Sequence, residues 1–243
     1  MALRSFLDGA LFAEVYGDGA PDILALHGWG RRGSDFASVL EGFSGIAPDL
    51  PGFGASPAPD EVIGADAYAD IVVGILDSFD RPPVLVGHSF GGRVAVCLAA
   101  RNPELVGPLV LTGVPLIRLE TGRRPSAGFR FARRLNQLGV MSDERLERAK
   151  RKRGSEDYRA ASGVMRDILV KVVNESYEGQ LRRISSPVQL LWGQDDHEVP
   201  LSVAEAAQAL LSKSSLEVIP GVGHFVPLQA PQPVREAIER AMR

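Results

Sequence analysis

The sequence predicts an α/β protein, built on a mostly parallel β-sheet with helices on both faces. Short apolar runs alternate along the chain with stretches whose apolar residues recur at helical spacing. Strands that are buried on both faces of a parallel sheet have such continuous apolar runs. The chain has 243 residues, of which 45% are hydrophobic and 23% charged, so it is long enough to bury a sizeable core.

The predicted elements follow one another in regular order. The segment at 11–16 alternates between apolar and polar residues, and the other predicted strands are short apolar runs. The strands are expected at 11–16, 22–26, 44–48, 83–86, 109–111, 188–191 and 216–219. The helices are expected at 34–41, 65–79, 90–101, 202–211 and 233–242. Because ligands bind beyond the carboxyl ends of parallel strands, functional residues are expected directly after strands.

One long segment interrupts this alternation. Residues 115–182 are charged and helix-rich, without a convincing strand. We therefore expect a core formed by 1–114 and 183–243, with a helical lid inserted at 115–182. Residues 118–171 carry 15 Lys and Arg against 7 Asp and Glu, while the rest of the chain carries 12 against 23. Steering of an acidic substrate, contact with an anionic surface and plain solubility all remain open as reasons for this basic segment.

Composition argues against several classes of protein. The net charge of -3 does not favour a nucleic-acid binder. Cys97 is the only cysteine, so no internal disulfide can form, which fits a reducing compartment. No apolar run approaches the roughly 20 residues that span a bilayer, and the first residues lack the apolar core of a signal peptide. We expect a cytoplasmic monomer or homodimer that does not insert stably into membranes.

The segment VLVGHSFGGRV at 84–94 carries the strongest chemical signal. Gly87, Ser89 and Gly91 form G-x-S-x-G between a predicted strand and a predicted helix. A strained strand-to-helix turn exposes the serine oxygen, and small glycines let the neighbouring backbone approach closely. The free N–H groups of the following helix favour developing negative charge. The alternative is a tight turn in which Ser89 only caps the helix; the strand–turn–helix context favours the nucleophile.

A nucleophilic serine needs a base, and the chain contains four histidines. Of these, only His224 lies alone in a loop late in the chain, just after the last predicted strand. An ordinary surface histidine is the alternative interpretation of His224. We expect His27 to be structural and His88 to point away from its neighbour Ser89.

The base in turn needs a carboxylate that holds its tautomer. The segment WGQDDHEVP at 192–200 follows a predicted strand directly and offers Asp195, Asp196 and Glu198. The order serine, acid, histidine along the chain is the one found on doubly covered parallel sheets of this kind. The residues alone do not decide among the three carboxylates.

Five motifs, in order, resemble those of the α/β-hydrolase family. They are HGWG at 27–30, DLPGFGAS at 49–56, GHSFGG at 87–92, LWGQDDHEVP at 191–200 and Gly-His at 223–224. The resemblance covers about 1–114 and 183–243, and the insertion matches only the position of the family's variable lid. It implies a mostly parallel sheet of about eight strands with a helical lid. One departure is that Gln229 and Ala230 precede Pro231, where the family often carries an acidic residue.

The resemblance implies a catalytic set of Ser89, Asp196 and His224. The family's W-G-x-x-D-x-x-x-P spacing selects Asp196, and Asp195 is then expected to be exposed or capping. The family's other acid position, after the strand that ends near Leu111, holds no acid here.

The resemblance also implies an oxyanion hole and a substrate pocket. In the family, the donors are the backbone N–H groups of the residues that correspond to Trp29 and Phe90. The side chains of both are expected to line the pocket or to pack in the core, and both roles can hold together. Arg93 is a possible substrate contact, with a surface or structural ion pair as the alternative.

These features together predict a serine hydrolase that acts on a small-molecule ester, thioester or lactone through an acyl-enzyme, with no metal or organic cofactor. Carbon–carbon bond hydrolysis, lyase or synthase chemistry and cofactor-free haloperoxidase activity remain alternatives, since members of the family perform them on the same triad. A serine nucleophile counts against haloalkane dehalogenase and epoxide hydrolase activity. A small-ligand receptor or signalling partner with the same fold is the alternative from another class.

Overall fold

The computed structural model describes residues 1–118 and 156–243, and it contains one eight-stranded sheet. The strands are β1 Ala2–Phe6, β2 Leu11–Tyr16, β3 Ile23–Leu26, β4 Gly45–Asp49, β5 Val84–His88, β6 Leu109–Thr112, β7 Val188–Gly193 and β8 Ser214–Ile219. Their order across the sheet is β1-β2-β4-β3-β5-β6-β7-β8. β2 pairs antiparallel with β1 and β4, and every other pair is parallel. The predicted mostly parallel sheet of about eight strands is confirmed.

Helices cover both faces of the sheet, as the sequence predicts. The helices are α1 Ala37–Leu40, α2 Ala65–Val73, α3 Phe90–Arg101, α4 Glu156–Ala160, α5 Gly163–Val172, α6 Glu178–Leu181, α7 Leu201–Gln208, α8 Val226–Gln229 and α9 Pro231–Ala241. One buried cluster joins the sheet to α2, α3, α6 and α7, and a second joins the opposite face to α1, α8 and α9. Among the helices so described, none is long and apolar enough to cross a membrane.

Burial explains the strand patterns. All four residues of β3 and all five of β5 are buried, because each has neighbouring strands at its sides and helices on both faces. In contrast, β8 lies at the edge of the sheet, and most of its residues are at least partly exposed.

The structure differs from the sequence prediction at four places. The predicted helix at 34–41 is a 3-10 helix at Gly33–Phe36 followed by α1. β1 is not among the predicted strands because only Phe6 in it is even partly buried, so its sequence has no apolar pattern. The predicted helix at 65–79 ends at Val73, next to Gly74, and a separate turn of 3-10 helix follows at Leu76–Ser78. Glycine is a poor helix former, which accounts for the break. α8 is too short to show a helical period in the sequence.

The described part of the predicted lid is helical. It contains α4, α5 and α6, and α5 buries Ile168, Leu169 and Val172. Val164 and Met165, which precede them on α5, pack partly buried against the same core cluster. The arginines at 123, 124, 130, 133 and 134, the basic run at 148–153 and the apolar residues at 129–141 lie outside the described residues. The boundaries of the lid at 115 and 182 stay a prediction.

The approach of α3 to the sheet depends on glycines that flank Ser89. A Cβ on Gly91 would lie 2.1 Å from the carbonyl oxygen of Leu26, at the end of β3. A Cβ on Gly87 would lie 2.6 Å from the Cα of Gly92. These distances are shorter than any real Cβ contact, so larger residues would push the helix away from the two central strands. The G-x-S-x-G pattern is therefore a packing requirement as well as a chemical motif.

We predict that Gly91→Ala lowers the free energy of unfolding by about 2–3 kcal/mol or more, because the new methyl group meets backbone that cannot move aside. Urea unfolding followed by circular dichroism measures the change. Gly179→Ala is the matched control, since Gly179 is exposed and a Cβ there meets nothing within 4 Å. An unfolding free energy equal to that of the wild type in Gly91→Ala would contradict the packing argument.

Candidate active site

Ser89 forms the turn between β5 and α3 in a conformation that side chains rarely adopt. Its φ is 48° and its ψ is -112°, which costs on the order of 1–3 kcal/mol for a residue other than glycine. Hydrogen bonds hold the turn: the Ser89 N–H donates to the Thr112 carbonyl at 2.9 Å, and the Ser89 carbonyl accepts from the N–H of Gly92 at 3.1 Å. The surrounding structure thus fixes the strained backbone and leaves the Ser89 side chain partly exposed.

His224 and Asp196 meet at the carboxyl edge of the sheet. Nδ1 of His224 lies 2.9 Å from Oδ2 of Asp196, and only 8% of His224 and 6% of Asp196 are exposed. The other carboxylate oxygen, Oδ1, accepts the backbone N–H groups of Glu198 at 2.9 Å and Val199 at 2.8 Å. These donors stabilise a charged carboxylate. Its Oδ2 then accepts a hydrogen bond from the Nδ1–H of His224. Nε2 of His224 is left as the nitrogen that can accept a proton. The neighbouring Asp195 is exposed.

Gly113 provides the space in which this pair lies. Its φ is +56°, and a Cβ there would lie 3.0 Å from His224 Nδ1 and 3.3 Å from Asp196 Oδ2. A side chain at 113 would therefore be strained and would press on both groups. Gly113 is a functional position that is not among the residues predicted from the sequence. The signal that could have indicated it is a glycine directly after a buried strand, next to a strand end that carries the candidate nucleophile.

A cavity of about 360 Å³ opens beside these groups. Ser89 and His224 both line it, and Asp196 lies behind His224. The other lining residues are Trp29, Phe90, Arg93, Pro115, Asp157, Leu169, Val172, Val173, Glu198 and Val199. The structure thus brings Ser89, His224 and the other sequence-predicted residues Trp29, Phe90 and Arg93 to one cavity, and residues of α4 and α5 form a further wall.

Aromatic side chains connect the loop that carries Trp29 to the first turn of α3 at one wall of the cavity. The Trp29 and Phe90 rings pack edge to face, with centroids 5.3 Å apart. Trp29 also contacts Phe53 at 4.9 Å, and Phe90 contacts Tyr68 at 5.0 Å. Both of the expected roles hold, since Trp29 and Phe90 line the cavity and also pack with the core. The packing fixes the loop that carries Trp29 against the first turn of α3.

The buried His27 makes only structural contacts. Its Nδ1 donates to the Gly28 carbonyl at 2.7 Å, and its Nε2 accepts the Leu50 N–H at 2.9 Å. Burial lowers the pKa of His27 to about 4. Through the hydrogen bonds of its two ring nitrogens, the imidazole joins the loops at 27–30 and 49–56.

His88 points toward β6. Its Nδ1 lies 2.9 Å from the Thr112 hydroxyl and 3.1 Å from the Thr112 carbonyl. Its ring centroid lies 5.0 Å from that of His224. Burial, and then the nearby His224, lower the pKa of His88 to about 3. A neutral imidazole thus forms one side of the space in which His224 lies.

Charged groups lie at different parts of the cavity. Arg93 is 7% exposed, donates to the Val172 carbonyl, and lies over the Tyr177 ring at 5.8 Å. Oε2 of Glu198 lies 3.8 Å from Nε2 of His224. Burial, and then repulsion by Glu198, raise the pKa of Asp157. Arg93 is thus buried rather than at the surface, and carboxylates lie on the His224 side.

Across residues 1–118 and 156–243, no group of three or more His, Cys, Asp or Glu side chains is arranged to hold a metal ion. The absence of a cofactor stays a prediction from the sequence.

Comparison with known proteins identifies the family. The model of the alpha/beta hydrolase family matches residues 23–237. The chain belongs to the alpha/beta hydrolase family. The pimeloyl-[acyl-carrier protein] methyl ester esterase of Chromobacterium violaceum is 39% identical over an alignment of 144 positions, which covers 57% of this chain and 55% of that esterase. The chain thus spans about half the length of that relative. The 2-hydroxy-6-oxononadienedioate/2-hydroxy-6-oxononatrienedioate hydrolase of Cupriavidus pinatubonensis is 28% identical over 86% of this chain and 82% of its own length.

Solved structures show the same alpha/beta hydrolase fold. A serine hydrolase involved in carbazole degradation superposes with a TM-score of 0.75 over 99% of this chain and 98% of its own, at 21% identity. A thermophilic esterase from Thermogutta terrifontis superposes with a TM-score of 0.68 over 100% and 98%, at 23% identity. At this identity the likeness concerns the fold alone.

We predict that the folded protein loses stability as the pH falls below about 6.5, the ordinary histidine pKa. His27 and His88 have lowered pKa values in the folded protein, so the unfolded chain binds protons first. Each histidine should cost on the order of 2 kcal/mol of stability by pH 5. Urea unfolding at neutral and acidic pH measures the total, and imidazole nitrogen chemical shifts isolate the two residues. Protonation of both rings near pH 6.5 in the folded protein would contradict this.

Proposed function

We propose that this chain is a serine hydrolase that cleaves a small-molecule carboxylic ester, thioester or lactone through an acyl-enzyme on Ser89. One observation carries the proposal: the Asp196 carboxylate holds Nδ1 of His224 at 2.9 Å, while His224 and the strained Ser89 line the same cavity. A serine that only capped a helix would not need a buried histidine and carboxylate beside it. The matching relatives include an esterase, which agrees with ester hydrolysis.

The proposed reaction begins when Ser89 Oγ attacks the carbonyl carbon of the substrate. Nε2 of His224 takes the hydroxyl proton, and Asp196 stabilises the imidazolium that forms. The tetrahedral intermediate collapses, His224 gives the proton to the leaving group, and the acyl group stays on Ser89. Water then attacks the acyl-enzyme while His224 takes its proton. The second tetrahedral intermediate collapses, His224 gives this proton to Ser89 Oγ, and the carboxylic acid leaves.

The negative charge of the tetrahedral intermediate needs donors that are already in place. We propose the backbone N–H groups of Trp29 and Phe90, as in the family. Each such donor contributes about 3–4 kcal/mol to the transition state. The edge-to-face packing of the Trp29 and Phe90 rings supports this role, because it fixes the two backbone segments relative to each other. The Phe90 N–H also lies in the first turn of α3, where the helix dipole favours an anion.

Carbon–carbon bond hydrolysis on the same residues is a second candidate. It is favoured by the relative from Cupriavidus pinatubonensis, which bears the name of a dienedioate hydrolase and matches most of the chain. The two activities differ in the bond broken, so turnover of a simple ester and of a vinylogous 1,5-diketo acid separates them.

We predict that Asp196→Asn lowers turnover of p-nitrophenyl acetate by about 10³–10⁴-fold, because the amide cannot hold His224 in the required tautomer. Asp195→Asn is the matched control: Asp195 is the exposed neighbour in sequence, and this change should leave turnover near the wild-type rate. Release of p-nitrophenolate measures both. Equal losses in the two variants would contradict the assigned role of Asp196.

Labelling separates an enzyme from a receptor with the same fold. A fluorophosphonate should label the wild type and not Ser89→Ala. Absence of labelling and of turnover in folded wild-type protein would sink the hydrolase proposal and support the receptor.

We also predict that Gly113→Ala lowers kcat by tenfold or more. A tenfold loss corresponds to about 1.4 kcal/mol of transition-state stabilisation. The new methyl group would press on His224 Nδ1 and Asp196 Oδ2, and it would strain a backbone with φ +56°. Gly223→Ala is the control because it also adds a methyl group next to His224, yet its nearest contact is 3.4 Å. Steady-state kinetics on folded variants measures both, and an unaffected kcat in Gly113→Ala would show that the pair tolerates the added group.

A further inference from the structure

We propose that Arg93 forms a carboxylate-binding site in the active-site cavity, so that the preferred substrate is an ester or thioester whose acyl chain ends in a free carboxylate. This inference rests on the proposed function of Ser89, and it names the substrate class for that site.

Arg93 lies one helical turn after the candidate nucleophile. Ser89 directly precedes α3, and Arg93 lies in the first turn of that helix. The backbone N–H of Arg93 donates to the Ser89 carbonyl at 3.3 Å, which joins the two residues directly. Both residues line the cavity of about 360 Å³. Their backbones are about one helical turn apart, so the candidate nucleophile and the cation belong to the same cavity.

The guanidinium is buried without a full set of partners. One N–H of Arg93 donates to the Val172 carbonyl at the end of α5, and the Nε–H has no acceptor among the described residues. No acidic side chain of the described ranges lies within ion-pair distance of Arg93. A buried cation and a buried unpaired donor are both unfavourable. Burial correspondingly lowers the pKa of Arg93. A substrate carboxylate in the cavity would supply the missing negative charge, and carboxylates are groups that a guanidinium binds well.

The negative charge of Glu175 raises the pKa of Arg93 from beyond ion-pair distance, which opposes the effect of burial. Its Oε2 already accepts the Tyr177 hydroxyl at 2.7 Å and the Ala65 N–H at 3.3 Å. This carboxylate thus stabilises the lid helices and α2, and it does not pair with Arg93 directly. A purely structural Arg93, held by Val172, Tyr177 and the more distant Glu175, is the competing explanation that the experiment must separate.

The other charges of the cavity indicate which half of the substrate carries the carboxylate. In the proposed reaction His224 protonates the leaving group, so the leaving group departs on the His224 side. Glu198 and Asp157 line that side, and Glu198 lies 3.8 Å from His224 Nε2. Carboxylates there repel an anionic leaving group. Arg93, the one Lys or Arg among the described residues that line the cavity, favours an anion on the acyl chain instead.

Three matched phenyl esters test this directly: monophenyl adipate, with the carboxylate on the acyl chain; phenyl hexanoate, without one; and para-carboxyphenyl hexanoate, with the carboxylate on the leaving group. Wild-type protein should show the highest kcat/KM on monophenyl adipate. In Arg93→Gln the ratio of kcat/KM for monophenyl adipate to that for phenyl hexanoate should fall by about tenfold to a hundredfold, the value of a hydrogen-bonded charge pair. Arg93→Lys should keep part of the preference.

Arg101→Gln is the matched control, since Arg101 lies exposed on the same helix and pairs with Asp70. It should leave the ratio unchanged. A wild-type ratio of one or less would overturn the inference, as would a ratio that is unchanged in folded Arg93→Gln. If Arg93→Gln does not fold, the wild-type ratio and Arg93→Lys decide.

A binding measurement keeps this inference separate from the proposed hydrolysis. Calorimetry on Ser89→Ala should give a lower Kd for adipate than for hexanoate. The difference between the two Kd values should disappear in the double variant Ser89→Ala, Arg93→Gln. Adipate binding without ester turnover in the wild type would retain the carboxylate site and reject the hydrolase. Turnover of both esters at equal rates would retain the hydrolase and reject the carboxylate site.

Discussion

The strained backbone of Ser89 is the constraint on which the rest of the structure depends. A residue with φ 48° at the end of β5 is stable only where its surroundings leave no alternative. Here the N–H of Ser89 is bound to β6, its carbonyl is bound to the first turn of α3, and glycines at 87 and 91 let α3 lie against β5 and β3. The central strands and this helix therefore determine one another through the same turn.

The second requirement is that a charged carboxylate lies buried beside the histidine. Asp196 is 6% exposed, so its charge would be costly to bury without partners. Two backbone N–H groups and His224 satisfy it, and Gly113 leaves the room that the pair needs. The loops that follow β5, β6, β7 and β8 each contribute one part, so the parallel order of these four strands is what brings distant residues together. Neutral His88 completes this arrangement without adding a charge.

The local features of this design can be predicted from the sequence, because they depend on short-range physics. The helix at Phe90–Arg101 and the strand before it follow from periodicity and from the glycines around Ser89. The resemblance to the family is needed to select Asp196 over Asp195, and in the structure Asp196 is buried and Asp195 exposed. β1 could not be predicted, since an exposed edge strand is held by backbone pairing and has no apolar pattern. The burial of Arg93 could not be predicted either, because it depends on contacts with Val172 and Tyr177, about 80 residues away in sequence.

The most direct test of the account is the mass of the protein during turnover. Rapid acid quenching of a reaction with p-nitrophenyl acetate, followed by intact mass measurement and peptide fragmentation, should show one added acetyl group on Ser89. The strained turn, the His224–Asp196 pair and the shared cavity all predict this covalent intermediate. Steady consumption of the ester with no adduct, or an adduct on a residue other than Ser89, would contradict it.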